Sequence, residues 1–134
     1  LITNLGSKEI SKEIDKVDQL IKKITTTNPT LIRPSYGTYN KKIKTIATRP
    51  IILWNIDTLD WKYHNSKRIS NTIIKKARDG NIVLMHDIYS ATANSLEITI
   101  PTLLKKGYQF VTVSELFYYK NNQLLPKKVY RYAN

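Results

Sequence analysis

The chain has 134 residues, a length that suits one domain with its own hydrophobic core and not two. It contains no cysteine, which excludes disulfides and thiolate metal sites, and no apolar stretch approaches the ~20 residues that cross a bilayer. Its net charge is +12, which favours polyanionic partners such as nucleic acid, anionic lipid or phosphate-bearing wall polymers.

The distribution of that charge argues against nucleic acid. The lysines are spread over every predicted helix, arginine is scarce, and basic residues do not alternate with aromatic ones as they do in RNA-binding sheets. We therefore expect no nucleic-acid binding, and solvated helix faces explain the charge better than a dedicated polyanion site.

The first predicted element is an amphipathic helix over Ser7–Ile24, with Ser7 as its N-cap. The residues at 25–29, Thr-Thr-Thr-Asn-Pro, end it. Apolar residues recur at intervals of three and four along one face: Ile10, Ile14, Val17, Ile21 and Ile24.

Strands and helices alternate through the remainder of the chain, and this order predicts a parallel sheet wrapped by helices. Pro101 falls inside the last predicted helix, where proline kinks or delays a helix. Strands are expected at Leu31-Ile32, Ile51–Trp54, from Ile82 and at Tyr108–Val113, and helices after Asn40, from Ser66 and over Ser95–Lys105. Phe117–Asn134 is a Tyr- and Lys-rich tail that could line a glycan groove or pack on the floor of the fold, and packing is the expectation; a hairpin at Asn121-Asn122 is a further expectation.

The run Ile82–Asp87 carries the strongest functional signal. Four apolar residues behind Gly80 predict a strand buried on both faces, and His86 follows at its C-terminal end, where α/β folds place their chemistry. A single histidine that closes an apolar strand is also often a hydrogen-bonded core residue, so both interpretations stay open.

Three predicted strands end in polar clusters, at Arg33–Gly37, Asp57–Trp61 and His86-Asp87. In a parallel sheet these ends share one rim, which would bring a guanidinium, carboxylates, an imidazole and aromatic rings together.

Each cluster suggests a task. Arg33 suits pairing with a carboxylate. The Pro and Gly of its turn could aim the backbone N–H of Tyr36 at a developing oxyanion. Asp57 is placed to hold His86 in one tautomer. Each cluster also has a purely structural explanation, and it is their succession that points to a site.

These clusters, with Leu84-Met85-His86-Asp87, resemble the last three motifs of the polysaccharide deacetylases, the NodB-homology enzymes of carbohydrate esterase family 4. Gly107–Leu116 is similar to that family's final strand and helix. The resemblance implies an α/β fold, a parallel-stranded distorted (β/α) barrel of NodB type that is incomplete here. Residues 1–116 would be the C-terminal part of the catalytic domain and residues 117–134 an extension.

The resemblance also implies roles. His86 would be the general acid that protonates the leaving amine, Asp57 would tune it through a hydrogen bond, and Arg33 would orient the catalytic base. Three residues would contact the substrate, through a backbone N–H or as walls of an acetyl pocket: Tyr36, Trp61 and Leu84.

The implied enzyme is a hydrolase of carbon–nitrogen bonds other than peptide bonds. It would remove N-acetyl groups from an N-acetylhexosamine polymer, peptidoglycan or chitin-like, with water activated by a divalent metal, zinc by the resemblance. The two family motifs that supply the metal ligands have no counterpart here, and His64 is not a ligand by its spacing.

We therefore expect no metal ligands in this chain and no activity without the N-terminal part, which would be truncated, processed away or a separate partner. We further expect a glycan substrate and an attraction to anionic wall polymers. The family's substrates imply a location outside the cell or at the bacterial cell surface. The alternative is a catalytically incomplete, glycan-binding remnant of the cell wall machinery.

Overall fold

The computed structural model describes all 134 residues and divides them into two compact units. The first unit comprises Leu1–Leu53 with Gln123–Tyr130, and the second comprises Trp54–Asn122 with Arg131–Asn134. The C-terminal tail therefore contributes residues to both units. No helix in the chain combines the length and the apolar character needed to pass through a bilayer.

The first unit contains helices α1 (Ser7–Thr25) and α2 (Lys41–Ile46) and strands β1 (Ile51–Ile52) and β4 (Val129–Tyr130). β4 pairs in parallel with β1, so the hairpin expected in the tail is wrong. The strand predicted at Leu31-Ile32 reduces to an isolated parallel bridge between Ile32 and Ile51. Strand pairs this short depend on distant partners, which local sequence does not specify.

α1 begins at Ser7, but its N-cap is Gly6 and not Ser7. The Gly6 N–H donates to Glu9 Oε2 at 2.7 Å, which satisfies an otherwise unpaired donor at the start of the helix. Of the predicted apolar stripe only Ile10 is buried, and the residues beyond the middle of the helix stay exposed: Val17, Ile21 and Ile24. The apolar spacing therefore predicted the helix correctly, but the apolar face that it identified is buried only near the start of the helix.

The core of this unit forms where α1, α2 and β1 meet. Asn40 caps α2 as predicted, because its side chain accepts a hydrogen bond from Ile43 N at 3.0 Å. The buried cluster consists of Ile10, Ile43, Ala47 and Ile51.

The second unit contains strands β2 (Ile56–Asp57) and β3 (Val83–Leu84) and helices α3 (Asp60–Tyr63), α4 (Ser66–Lys76), α5 (Ser90–Lys105) and α6 (Val113–Tyr119). β2 and β3 pair in parallel, with Ile56 opposite Val83 and Asp57 opposite Leu84. The two strands therefore end side by side, and the loops that follow them emerge at one edge.

Two strand predictions in this unit are wrong. The strand after Gly80 is not buried on both faces, because Leu84 is buried while Val83 is 37% exposed and borders a groove formed with α5, α6 and the segment between them. Residues 108–113 form no strand; Tyr108 instead anchors this segment by donating its hydroxyl to Ala77 O at 3.0 Å.

α5 begins five residues before the predicted start and continues through Pro101. Its packing against α4 outweighs the local preference of proline, as tertiary context commonly does. The buried residues that α4 and α5 share are Ile69, Ile73, Ala77 and Leu103.

The C-terminal residues are held against the turn that precedes β3. Ala133 N donates to Gly80 O at 2.8 Å, and Gly80 adopts φ +87°. A Cβ at position 80 would lie 1.9 Å from Ala133 O, so this close approach requires glycine.

Candidate active site

The parallel pairing of β2 and β3 places two of the predicted polar clusters at one edge of the second unit. The loop after β2 is tied directly to the end of β3, because Thr58 Oγ1 donates to Leu84 O at 2.9 Å. The backbone N–H of Asp60 lies 3.4 Å from the same Thr58 hydroxyl. These contacts hold the residues after β2 against those after β3.

Asp60 is the centre of this edge. It is wholly buried, with a relative accessibility of 0%. Its Oδ1 accepts from His86 Nδ1 at 2.8 Å and from Trp61 N at 2.9 Å. Its Oδ2 accepts from His86 N at 2.6 Å and from Thr92 Oγ1 at 2.8 Å. A carboxylate has about four acceptor positions, so every one of them is occupied.

This arrangement determines the ionisation of Asp60 and the tautomer of His86. Burial by itself raises the pKa of Asp60, but hydrogen bonds from the side chain and backbone of His86 and from Thr92 outweigh it and lower the pKa below its ordinary value. An ionised carboxylate only accepts hydrogen bonds, so Nδ1 of His86 must carry the hydrogen. Nε2 is thereby left free, on a side chain that is 32% exposed.

The structure corrects the partner predicted for His86. Asp57 does not contact the imidazole; its Oδ1 accepts from Leu59 N at 2.9 Å and closes a local turn. Asp60, which sequence reasoning missed, makes the predicted contact. The chain turns inward because Leu59 adopts the left-handed conformation, with φ +54°. An acid three residues after Asp57 was visible in the sequence, but the backbone angle that selects it was not.

The other predicted residues of this unit lie close by in the chain. The Trp61 ring is half exposed, while its backbone N–H binds Asp60, and Leu84 is buried. An aromatic neighbour also borders the imidazole: the Tyr89 ring lies edge-on to His86 with centroids 6.3 Å apart, and His64 stacks on Tyr89 at 4.4 Å. The acetyl pocket assigned to Trp61 and Leu84 stays a prediction.

Arg33 and Tyr36 belong to the first unit. Tyr36 adopts φ +58°, and its turn is closed by Gly37 N donating to Pro34 O at 3.0 Å. The Arg33 side chain is exposed and forms no ion pair with a carboxylate of this chain. The participation of Arg33 and Tyr36 in one site with His86 stays a prediction.

The residues present do not fit a metal centre. No three or more histidine, cysteine, aspartate or glutamate side chains are grouped so that they could hold a metal ion. His86 and Asp60 use their facing atoms on each other, and a catalytic zinc needs about three protein ligands.

The parallel strands, the helices around them and the buried carboxylate paired with an imidazole define an α/β unit with a candidate acid–base site at the strand ends. The sequence profile of the polysaccharide deacetylases matches residues 1–50. The chain is 40% identical over 116 residues to the peptidoglycan N-acetylglucosamine deacetylase PgdA of Listeria monocytogenes, a match that covers 87% of this chain and 25% of that protein.

Solved structures show the same fold. The peptidoglycan deacetylase PdaC of Bacillus subtilis superimposes with a TM-score of 0.86 at 38% identity, over 90% of this chain and 60% of that one. A family 4 acetyl xylan esterase of Clostridium thermocellum, in complex with a cobalt ion, gives 0.91 at 29% identity, over 97% of this chain and 66% of that one.

The chain belongs to the polysaccharide deacetylase family, as a NodB-type domain of carbohydrate esterase family 4. It spans about a quarter of the length of the curated relatives it matches first, with 25% of each covered. These matches confirm the predicted family. They also confirm the predicted class of fold, which is an α/β fold with parallel strands and a partial, C-terminal version of the domain.

Proposed function

We propose that the protein containing this chain removes the N-acetyl group from an N-acetylhexosamine of peptidoglycan. Relatives at 40% identity are named as peptidoglycan N-acetylglucosamine and N-acetylmuramic acid deacetylases, which supports this substrate class over chitin. In the reaction the amide C–N bond breaks, the oxygen of water joins the acetyl carbon, and acetate and a free amine are released.

The observation that carries the proposal is the pairing of His86 with a saturated, buried carboxylate. An amine leaves an amide poorly unless it receives a proton as the C–N bond breaks. His86 Nδ1 is committed to Asp60, so Nε2 is the atom that can deliver this proton when the imidazole is charged, and Asp60 keeps the ring in place.

The remaining roles are also proposals. Trp61 and Leu84 would border the acetyl methyl, the backbone N–H of Tyr36 would donate to the oxyanion, and Arg33 would orient the base. A divalent metal is supported by the cobalt ion in the related esterase, and we place its ligands outside this chain.

The net charge of +12 supports attraction to anionic wall polymers, and a peptidoglycan substrate supports action at the cell surface or outside the cell. Surface charge is screened by salt, so this attraction should weaken as ionic strength rises.

The test is His86→Ala in the whole enzyme, with N-acetylglucosamine oligomers as substrate and acetate release as the measurement. Loss of a general acid should lower kcat by ~10²–10⁴-fold. His64→Asn is the matched control, because His64 is the chain's other histidine and asparagine tolerates its left-handed backbone, with φ +43°. Turnover of His86→Ala within a few-fold of the parent would refute the role.

A glycan-binding remnant is the second candidate, favoured by the lack of a metal-ligand group in this chain. It predicts that the whole protein retains N-acetylglucosamine oligomers without releasing acetate. Release of acetate that depends on His86 would exclude it.

A further inference from the structure

The first turn of α5 directs a buried hydroxyl at the site. Thr92, the third residue of α5, is 3% exposed, and its Oγ1 donates to Asp60 Oδ2 at 2.8 Å. Its own backbone is fixed by Thr92 N donating to Tyr89 O at 3.0 Å and by Ser95 Oγ donating to Thr92 O at 2.6 Å. The hydroxyl is therefore presented to Asp60 by a rigid part of the helix.

Three hydroxyls further along α5 behave differently. Ser95, Thr99 and Thr102 donate to carbonyl groups of their own helix, at 2.6, 2.7 and 2.7 Å, which is the usual bond for serine and threonine in helices. Thr92 instead donates its hydrogen to a side chain 32 residues away in sequence.

Thr92 is also the only residue besides His86 whose side chain binds the Asp60 carboxylate. The two remaining donors, Trp61 N and His86 N, are backbone groups. Without the Thr92 hydroxyl, Oδ2 would keep a single partner, and rotation of the carboxylate about its Cβ–Cγ bond would no longer be opposed from the α5 side. Rotation would tilt Oδ1 away from the His86 Nδ1–H.

We propose that Thr92 is a positioning residue for the deacetylation reaction: its hydroxyl fixes the plane of the Asp60 carboxylate and thereby the orientation of the His86 imidazole. This role rests on the proposed function. His86 is the only titratable side chain that hydrogen-bonds to Asp60, so a change at Thr92 acts on this one pair. Two other titratable groups are near: Asp87 follows His86 in the chain, and His64 is connected to the imidazole only through the Tyr89 ring.

The test compares Thr92→Val, which removes the hydroxyl and keeps the shape, with Thr92→Ser, which keeps the hydroxyl. We expect Thr92→Val to lower kcat by about 10-fold with KM within about 2-fold, the size expected for one hydrogen bond to a charged group. The acid limb of its pH–rate profile should move to higher pH, because Asp60 loses a donor that favours its ionised form. Thr92→Ser should restore kcat and the profile.

Thr99→Val is the control, because Thr99 is equally buried in α5 and donates to Ser95 O within the helix. It should change stability without moving the pH–rate profile. If Thr92→Val does not fold, Thr92→Ala removes the same hydroxyl without adding a methyl group beside the carboxylate and should show the same kinetic changes.

A readout that does not need turnover separates this proposal from the proposed function. The ¹⁵N signals of the His86 ring should report a hydrogen on Nδ1 in the parent and in Thr92→Ser, and a mixture of tautomers in Thr92→Val. Unchanged ring signals together with an unchanged pH–rate profile in Thr92→Val, or failure of Thr92→Ser to restore them, would overturn the role of Thr92. Inactivity of the parent enzyme on every acetylated glycan would instead overturn the proposed function. The ring signals would still show whether the Thr92 hydroxyl orients the His86 imidazole.

Discussion

The inner and outer residues of the loop after β2 have opposite environments. Thr58 and Asp60 are buried and hydrogen-bonded to the end of β3, whereas Trp61 is half exposed and Asp57 binds only a backbone N–H of its own turn. Two acids three residues apart thus have different tasks: one fixes a local turn and one orients an imidazole. Similar residue types in one motif are therefore not interchangeable, and burial separates them.

The largest expected effect sets these two acids against each other. Asp60→Asn should lower kcat by ~10²–10³-fold, because an amide nitrogen would face donors in place of one carboxylate oxygen and His86 would lose its fixed tautomer. Asp57→Asn, measured in the same acetate-release assay, should stay within about 5-fold, since its carbonyl oxygen can still accept from Leu59 N. The opposite order of the two variants would restore Asp57 as the partner of His86.

A smaller effect is expected on the outer side of the loop. Trp61→Ala should raise KM by about 10-fold with kcat less affected, because a half-exposed indole offers apolar contact to a substrate and the Trp61 backbone bond to Asp60 survives. Trp61→Phe keeps most of that surface and serves as the control. A loss of folded protein, or of metal content by elemental analysis, in place of a change in KM would show a structural role.

The smallest effect concerns acid stability. Because the folded-state pKa of Asp60 is lowered, the unfolded chain binds more protons as pH falls below about 4, and the free energy of unfolding decreases through that range down to the folded-state pKa. The contribution of Asp60 is present above pH 4 and is lost below it. Urea unfolding at pH 3 to 7 should show a shallower acid decline for Asp60→Asn than for the parent. An equal decline of the free energy of unfolding in both proteins would contradict the ionised Asp60 that these contacts require.

Short-range features of the sequence were sufficient for several elements. Asn40 predicted the start of α2, and the apolar spacing before Gly80 predicted α4 from Ser66. Caps and helical periods depend only on neighbours in the chain, so the sequence is enough to find them. The order of the elements predicted parallel strands, and both named strand pairs are parallel. The succession of polar strand ends pointed to His86 and to the correct family.

Other features depended on contacts between residues far apart in sequence. The tail strand β4 exists because Val129 pairs with Ile51, whereas residues 108–113 pair with no other strand and form none. The exposed half of α1 shows the same limit, since a period of three and four identifies a helical face without revealing whether anything covers it.

By itself the sequence determined the family, the class of fold and the imidazole at the end of β3, because these depend on residue types and on their order. Only the tertiary structure decided that Asp60 and not Asp57 serves His86 and that Thr92 completes its set of donors. The reason is that the left-handed backbone of Leu59 and the hydroxyl of Thr92, 32 residues beyond Asp60, set which carboxylate faces inward, and neither can be recognised from the motif alone.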